Sequence, residues 1–188
     1  MPRVIFDVDV FPIEIFLYKK IHFNSNYKFS IIFQNFLAGK TTTYIFVEKN
    51  GLLNINNTFY IGNGVKIVVH SEAELIIRGM NKNGSGITCD TIILTHKKIV
   101  IGFDTIISWN VYITDCSQHK INGFLKIGDI EIGNNVWLSE GVTISYGTEV
   151  GNGSIVGSKS FLNSSYGDNT LIVGAPAKIK KYDIYWER

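Results

Sequence analysis

Aliphatic residues recur at every sixth position in the second half of the chain. Between residues 132 and 162 this column consists of Ile132, Leu138, Ile144, Val150, Val156 and Leu162. A compact residue lies four positions after each of the first five, at Val136, Val142, Thr148, Ser154 and Ser160. A period of six cannot keep side chains on one face of an α-helix, which turns every 3.6 residues, whereas short strands joined by turns can. We therefore predict an all-β solenoid in which three hexads make one triangular coil and the aliphatic column points inward.

The same spacing marks two earlier blocks and is interrupted twice. The earlier columns are Ile55, Ile61, Ile67 and Ala73, and then Ile101, Ile107 and Ile113. Residues 79–88, "GMNKNGSGIT", are rich in Gly and Asn and predict a loop. A second excursion is expected at about 119–131, because the interval from 113 to 132 is nineteen residues, one more than three hexads. The predicted β-helix spans residues 51–165.

Both ends of such a coil need caps, because unpaired strand edges recruit other chains. Residues 1–50 are rich in Phe, Tyr and Ile and lack the hexads, so they are predicted to form a capping segment, either as strands or as a small subdomain. At the other end the spacing is expected to stop at Tyr166. Residues 166–188 are therefore predicted to be a C-terminal tail, with an extended Pro turn followed by a short segment for which a helix is one option.

The composition excludes several classes of protein. With 45% apolar and 18% charged residues the chain fits a globular domain, and its net charge of +2 gives no basic footprint for nucleic acid. We find no signal-peptide pattern and no apolar segment long enough to cross a bilayer, so we expect a cytoplasmic protein without a membrane span. Cys89 and Cys116 are expected to be reduced thiols in that compartment.

Three segments resemble the hexapeptide-repeat acyltransferases, a family with a left-handed parallel β-helix, and within it the O-acetyltransferases of sugars and bacterial surface polysaccharides. They are "DCSQHKI" (115–121), "KIGDIEIGNNVWLSEGVTI" (126–144) and "IVGAPAKIKK" (172–181). The resemblance implies a left-handed coil, acetyl-CoA as the donor and a carbohydrate acceptor, in capsule or lipopolysaccharide biosynthesis. It also implies a homotrimer with active sites between neighbouring coils and a histidine that activates the acceptor hydroxyl.

His119 is the candidate for that histidine. It stands six residues after Ile113, where the next aliphatic residue is due, and at the start of the second excursion. An imidazole with a pKa near ~6.5 can accept a sugar hydroxyl's proton at neutral pH. Asp115 could hold one ring nitrogen protonated, as the third member of a triad does. The alternative is an ordinary exposed loop histidine. Cys116 suggests a rival covalent mechanism, although a lone thiol at such a position is more often inert.

The resemblance also implies a set of donor-binding residues. They are Trp137, Ser139, Gly157, Ser158, Lys159, Ala175, Lys178 and Lys180. Trp137 could lie beside the thioester or the acceptor, or it could be a trimer contact. Lys178 and Lys180 could meet the phosphates of CoA, or they could belong to a solvated basic tail. The family commonly has Gly where this chain has Ser139 and a Gly-Ser pair where it has Lys159 and Ser160, so the donor contacts need not match the family's.

Two other functions and a metal site are alternatives to this hypothesis. One function is N-acetylation of an amino nucleotide sugar, and the other is a β-solenoid scaffold without enzymatic activity. A zinc site formed by His22, His70, His96 and His119 is disfavoured, because no two of them have the close spacing that one coil would require. We therefore expect no metal requirement.

Overall fold

The computed structural model describes residues 3–7, 13–17, 22–23, 30–36 and 41–188. These residues form β-strands and turns, and none of them is helical. Accordingly, the described part of the chain contains no helix that is long and apolar enough to span a membrane. The strands of the coil pass in turn to three different sheets and pair in parallel with the strands one coil away, whereas one hairpin and the last strand pair antiparallel. The three sheets are the faces of a triangular prism.

The strands are numbered in chain order, and each sheet is given in its spatial order. Sheet A contains β1 (Arg3–Asp7), β4 (Ser30–Gln34), β7 (Phe59–Ile61), β10 (Gly86–Ile87), β13 (Ile106–Ile107), β18 (Trp137–Leu138), β21 (Ile155–Val156), β24 (Leu171–Gly174) and β25 (Ala177–Lys181). Sheet B contains β2 (Ile13–Leu17), β5 (Thr43–Val47), β8 (Lys66–Val69), β11 (Ile92–Thr95), β14 (Tyr112–Thr114), β19 (Thr143–Ile144) and β22 (Phe161–Leu162). Sheet C contains β3 (His22–Phe23), β6 (Leu52–Ile55), β9 (Glu74–Ile77), β12 (Lys98–Ile101), β17 (Ile130–Ile132), β20 (Glu149–Val150) and β23 (Ser165–Tyr166). A separate hairpin consists of β15 (Cys116–Ile121) and β16 (Phe124–Ile127).

The aliphatic column of the hexads forms the core of the prism. Ile132 pairs with Val150, Leu138 with Val156 and Ile144 with Leu162, each one coil of eighteen residues later. All six side chains are at most 3% exposed. Because successive side chains of a strand point to opposite faces, one buried residue in each short strand is enough to line the interior. The predicted three-hexad coil is confirmed.

The compact column has a second role, which is to hydrogen-bond one coil to the next at the corners. The buried Thr105 donates its hydroxyl to the carbonyl of Gly133 at 2.8 Å and accepts the amide of Val136 at 3.3 Å. Thr91 makes the same pair of contacts with the Ser108 carbonyl and the Val111 amide. A short hydroxyl side chain therefore satisfies backbone groups that would otherwise be buried without a partner.

Both excursions are present, and the second begins earlier than expected. The first is a turn between β9 and β10. The second is the hairpin, which leaves the coil at Cys116 rather than at 119 and returns at Ile130. The hairpin turns at Asn122 and Gly123, with φ values of 51° and 83°. An Asn-Gly pair with positive φ is a strong hairpin signal, since both residues tolerate that conformation.

The ends of the coil differ from the sequence-based predictions. The capping segment 1–50 lies partly outside the described residues, and its described strands continue the three sheets: β4 pairs with β7 and β5 with β8. The boundary at residue 50 therefore does not coincide with a change of architecture. The six-residue spacing of the core column breaks after Leu162, since Tyr166 follows four residues later and pairs with Val150. The core nevertheless continues in this shorter coil, where Ile172 pairs with Val156 and is fully buried.

The C-terminal residues form a strand and a strap, and no helix. β25 turns back and runs antiparallel to β24. The chain then crosses the corner between sheets C and A, where the Ile184 amide donates to the Asn169 carbonyl at 2.9 Å. Further along, the indole nitrogen of Trp186 donates to the Asn135 carbonyl at 3.1 Å. We call residues 182–188 the C-terminal strap.

Candidate functional site

His119 lies on the exposed hairpin that projects from the corner between sheets B and C. The Ser117 hydroxyl donates to the His119 carbonyl at 2.8 Å and accepts the Lys126 amide at 3.1 Å, which ties the two strands of the hairpin together. Gln118 has a φ of 62°, and its side-chain amide donates to the Thr114 hydroxyl at 3.0 Å. The backbone at His119 is therefore held in place while its side chain remains accessible to a substrate.

Asp115 lies at the base of this hairpin and is fully buried. Its carboxylate accepts the backbone amides of His96 and Lys97 at 2.7 and 2.8 Å, and its carbonyl accepts the Gly128 amide at 3.1 Å. Within the described part of the chain these contacts, and not one with His119, satisfy the side chain. Asp115 thus fixes the start and the end of the hairpin to the preceding coil.

Asp115 is also the last member of a ladder of ionisable side chains along the same corner. The Nδ1 of His70 lies 3.1 Å from Oε1 of Glu48, the rings of His70 and His96 are 4.0 Å apart, and the Nδ1 of His96 lies 3.6 Å from Oδ1 of Asp115. Burial, followed by the neighbouring His70, lowers the pKa of His96 below its ordinary value, while Asp115 and Glu48 act in the opposite direction.

The ladder corrects one argument made from the sequence. The spacing of the histidines was expected to keep them apart, but the loop between β9 and β10 lengthens that coil, so that His70 and His96 become neighbours although 26 positions separate them. Among the described residues no group of three His, Cys, Asp or Glu side chains is arranged to hold a metal ion. His22 has a described backbone in β3, and His119 is separate on the hairpin.

Several candidate donor-binding residues come together at the corner between sheets A and B. Ser139 and Gly157 lie one coil apart at this corner, and their amides donate to the carbonyls of Val156 and Ile172 in the following coils at 2.9 and 2.8 Å. The last coil is two residues shorter, so Val173 and not Ala175 lies against Gly157, and Ala175 lies in the turn between β24 and β25. Ser158 and Lys159 are exposed beside Gly157. The small side chains of Ser139, Gly157 and Ser158 therefore form a strip along this corner, and Ala175 is not part of it.

Charged side chains border that strip. The ammonium of Lys159 is paired with the carboxylate of Glu140, one coil away. Lys178 and Lys180 are exposed on β25, whose pairing with β24 shifts register at Lys180.

Trp137 lies on the outer face of sheet A and is 39% exposed. Its indole nitrogen donates to the Ser108 hydroxyl at 3.2 Å, and its ring centroid is 6.0 Å from that of Trp186 in the C-terminal strap. His119 projects from the opposite corner of the prism. One chain therefore does not bring His119 and Trp137 together.

Cys116 is buried at the base of the hairpin, where its sulfur accepts the Gln118 amide at 3.3 Å. Cys89 is also buried, and burial, followed by the neighbouring Asp90, raises the pKa of its thiol to about 11. A nucleophilic cysteine needs a thiolate with access to substrate. The burial of Cys116 therefore gives no support to a covalent mechanism.

No known family model matches the chain, but individual proteins do. The "Putative lipopolysaccharide biosynthesis O-acetyl transferase WbbJ" of Escherichia coli K12 is 30% identical over 156 residues, which cover 73% of this chain and 76% of the relative. A 24.8 kDa protein of the Klebsiella pneumoniae cps region is 30% identical over 173 residues, which cover 90% of this chain and 76% of the relative. The chain belongs to the hexapeptide-repeat acetyltransferases. Among solved structures, the polysialic acid O-acetyltransferase OatWY superposes with a TM-score of 0.55 at 28% identity, covering 100% of this chain and 92% of that one.

Membership of this acetyltransferase family confirms the predicted fold class, an all-β, left-handed parallel β-helix, and the predicted class of enzyme. The assignment of individual residues stays a prediction. Sequence reasoning missed Trp186 and the His70–His96 contact. An aromatic pair in "YWER" was the signal available for the first. The second depends on the length of a loop, which no local pattern reveals.

Proposed function

We propose that this acetyltransferase moves an acetyl group from acetyl-CoA to a hydroxyl of a bacterial surface polysaccharide, of the capsule or the lipopolysaccharide. The observation that carries the proposal is the position of His119, accessible on a hairpin whose base is anchored in the core. The relatives support the class of acceptor: one is named for lipopolysaccharide biosynthesis, one lies in a cps region and one is a polysialic acid O-acetyltransferase. Use of acetyl-CoA as the donor fits a cytoplasmic location, which stays a prediction.

His119 acts as a general base in this mechanism. Its neutral imidazole accepts the proton of the acceptor hydroxyl while the oxygen attacks the carbonyl carbon of the thioester. The tetrahedral adduct then collapses, the carbon–sulfur bond breaks, and the imidazolium returns the proton to the departing CoA sulfur. An ester and a free thiol result, and His119 ends the cycle neutral. No acyl-enzyme is needed, because the thioester is already activated.

Asp115 contributes to this mechanism by positioning. Its carboxylate is occupied by two backbone amides, so it acts on His119 through the base of the hairpin. The tautomer-controlling contact expected from the sequence would require the His119 ring to reach a buried carboxylate that already has two donors.

The small-residue corner is the proposed place of the donor. Ser139, Gly157 and Ser158 have small side chains there that would border the extended arm of acetyl-CoA, and Ala175 lies in the turn that follows β24. Lys159, Lys178 and Lys180 supply positive charge for its phosphates. None of the residues proposed to bind acetyl-CoA is a typical metal ligand, and we propose a reaction that needs no metal.

A homotrimer would complete the active site. His119 and Trp137 lie on opposite sides of one prism, so both can border one site only when a neighbouring copy supplies the second residue. The hairpin also exposes Ile121, Phe124, Leu125 and Ile127, with 42–71% of each side chain accessible. Apolar patches of this kind are typical of surfaces that a partner covers, and closed cyclic symmetry lets identical chains cover one another.

The test is an acceptor panel followed by substitution of His119. Acetyl-CoA is offered with capsular polysaccharides, lipopolysaccharide O-antigens, simple sugars and amino nucleotide sugars, and thiol release and acceptor mass are measured. His119→Ala is expected to lower kcat by about 10² to 10⁴ while acetyl-CoA still raises the Tm. Acetylation of amino groups alone would identify an N-acetyltransferase. Wild-type turnover by His119→Ala would exclude the proposed base, and loss of activity with a chelator would reveal a metal.

Two neighbouring substitutions serve as controls. Cys116→Ser is expected to keep turnover, because direct transfer does not use the thiol, whereas a covalent mechanism would lose it. Asp115→Asn keeps the shape but replaces one acceptor oxygen with a donor that faces a backbone amide. Its expected effect is a smaller loss of kcat than that of His119→Ala.

A further inference from the structure

Two adjoining cavities form a cleft on the outer side of sheet A. Their volumes are about 470 and 360 Å³, and both are lined by Asn83 and Arg188. The larger lies over Phe36 and Tyr60, and the smaller lies against Tyr185 and Trp186. One wall of the cleft is the loop between β9 and β10, and the other is the C-terminal strap. Neither wall takes part in the proposed transfer step.

The loop wall is held in place by the body of the protein. The carboxylate of Asp104 accepts the backbone amides of Asn81, Lys82 and Asn83 at 2.7, 2.9 and 3.1 Å. Asp104 itself is only 8% exposed. Three charge-assisted hydrogen bonds to one buried carboxylate hold the loop in a single shape, so binding does not have to order it.

The strap wall is joined to the body and to the loop. Besides the contact of Trp186 with Asn135, the guanidinium of Arg188 donates to the Asn83 carbonyl at 3.4 Å. The Glu187 carboxylate accepts the Tyr185 hydroxyl. The guanidinium also lies directly over Gly84, where a side chain would collide with it. Arg188 lines both cavities, the exposed Lys82 lines the larger one, and Glu187 lines the smaller one, so the cleft has two cations and one carboxylate.

A row of outward-facing residues on sheet A runs from Tyr60, in the larger cavity, to Trp137. Tyr60, Gly86, Ile106 and Trp137 are successive partners on sheet A and occupy one outward row. Tyr60 and Trp137 are three strand spacings apart, which is roughly 14 Å at about 4.8 Å per spacing. Trp137 in turn contacts Trp186 of the strap. The row therefore connects the cleft with a residue that we place at the transfer site.

The lining has the chemistry of a carbohydrate site. Aromatic rings pack against the apolar faces of sugar rings, side-chain amides such as those of Gln34 and Asn83 bind hydroxyls, and cations bind carboxylates. We propose that the cleft holds sugar units of an acidic polysaccharide acceptor that lie beyond the unit being acetylated. The inference rests on the proposed function and adds that the acceptor is a polymer with anionic groups.

The experiment compares the polysaccharide identified by the acceptor panel with its own single repeat unit, at saturating acetyl-CoA. The wild-type protein is expected to have a lower KM for the polymer. Arg188→Gln and Tyr60→Ala are each expected to raise that KM about ten-fold, the size of one lost charged hydrogen bond or stacking contact, with little change in kcat. Added salt should raise the KM of the wild-type protein and have a weaker effect on Arg188→Gln.

The controls remove a cation and an aromatic ring at nearby positions that do not face the cavities. Lys181→Gln and Tyr182→Ala alter exposed residues that line neither cavity, and both are expected to keep the wild-type KM. Melting temperatures show whether each variant is folded. If folded Arg188→Gln and Tyr60→Ala keep the wild-type KM for the polymer, or if polymer and repeat unit are used equally well, the cleft is not an acceptor site although the proposed function stands. If no carbohydrate is acetylated, the proposed function itself fails.

Discussion

At the scale of single residues, the ladder of Glu48, His70, His96 and Asp115 couples the hairpin base to the three preceding coils. The pKa of His96 is lowered in the folded chain because the ring is buried and lies beside His70. In the unfolded chain the same ring titrates near its ordinary value of about 6.5. As the pH falls below that value the unfolded state therefore takes up the proton first, and stability is lost until the folded pKa is passed.

The lowered pKa of His96 in the folded chain predicts a measurable pH dependence of stability. His96→Phe keeps a ring in the same space but cannot bind a proton, so it is expected to lose less stability than the wild-type protein between about pH 7.5 and about pH 5. Urea unfolding at both values gives the comparison. His119→Gln, which changes an exposed histidine, should follow the wild-type protein. If His96→Phe loses as much stability on acidification as the wild-type protein, His96 does not contribute to acid sensitivity.

At the scale of elements, the buried hydroxyl column predicts a cost that packing alone would not. Thr105→Val preserves the shape of the side chain but leaves the buried amide of Val136 without its acceptor, so it is expected to lower the free energy of unfolding by about 1–3 kcal/mol. Thr143→Val makes the same change on the outer face of sheet B and should stay within about 0.5 kcal/mol of the wild-type protein. Chemical denaturation measures both. Equal effects would show that the hydroxyl of Thr105 is dispensable.

The same column shows what a sequence can and cannot predict about this fold. A period of six is a local property, so the spacing alone assigns Leu138, Ile144 and Val156 to the core. The hydrogen bonds of Thr91 and Thr105 could not be predicted in this way, because their partners lie one coil away. Ile172 was missed because the last coil is two residues shorter than the one before it, so its core residues fall outside the register of six.

The candidate site also combines residues that a local pattern singles out with contacts between coils that no local pattern reveals. His119 could be proposed from the sequence because it replaces an expected aliphatic residue and lies in a family motif, and its role stays a prediction. The buried partners of Asp115 were not recognisable, because the amides of His96 and Lys97 belong to the previous coil. The cleft depends on a loop and a strap that are far apart in the chain, so its two walls could not have been associated from sequence.

At the scale of the whole molecule, the proposed homotrimer has a direct test at the hairpin. Phe124 is 71% exposed in the single chain. Phe124→Glu is expected to convert a particle of three times the 21.1 kDa chain mass into monomers, because burying an unpaired carboxylate opposes association. Light scattering gives the mass. Activity should fall with dissociation, since the hairpin also carries His119.

The control is Tyr182→Glu, which places the same charge at another exposed aromatic residue, 66% accessible in the strap. It should leave both mass and activity unchanged. A monomeric wild-type protein with full activity would show that one chain contains the complete site.

The antiparallel return of β25 has a consequence for how copies of the chain meet end to end. A coil of parallel strands would otherwise present the free edge of β24 as a template on which another copy could continue the sheet, and repetition would produce a filament. β25 occupies that edge and reverses the strand direction. It also carries Lys178, Lys180 and Lys181, and a row of like charges on an edge strand repels a second such edge. Lys178 and Lys180, proposed to attract a negatively charged donor, therefore also oppose the extension of sheet A by a second copy.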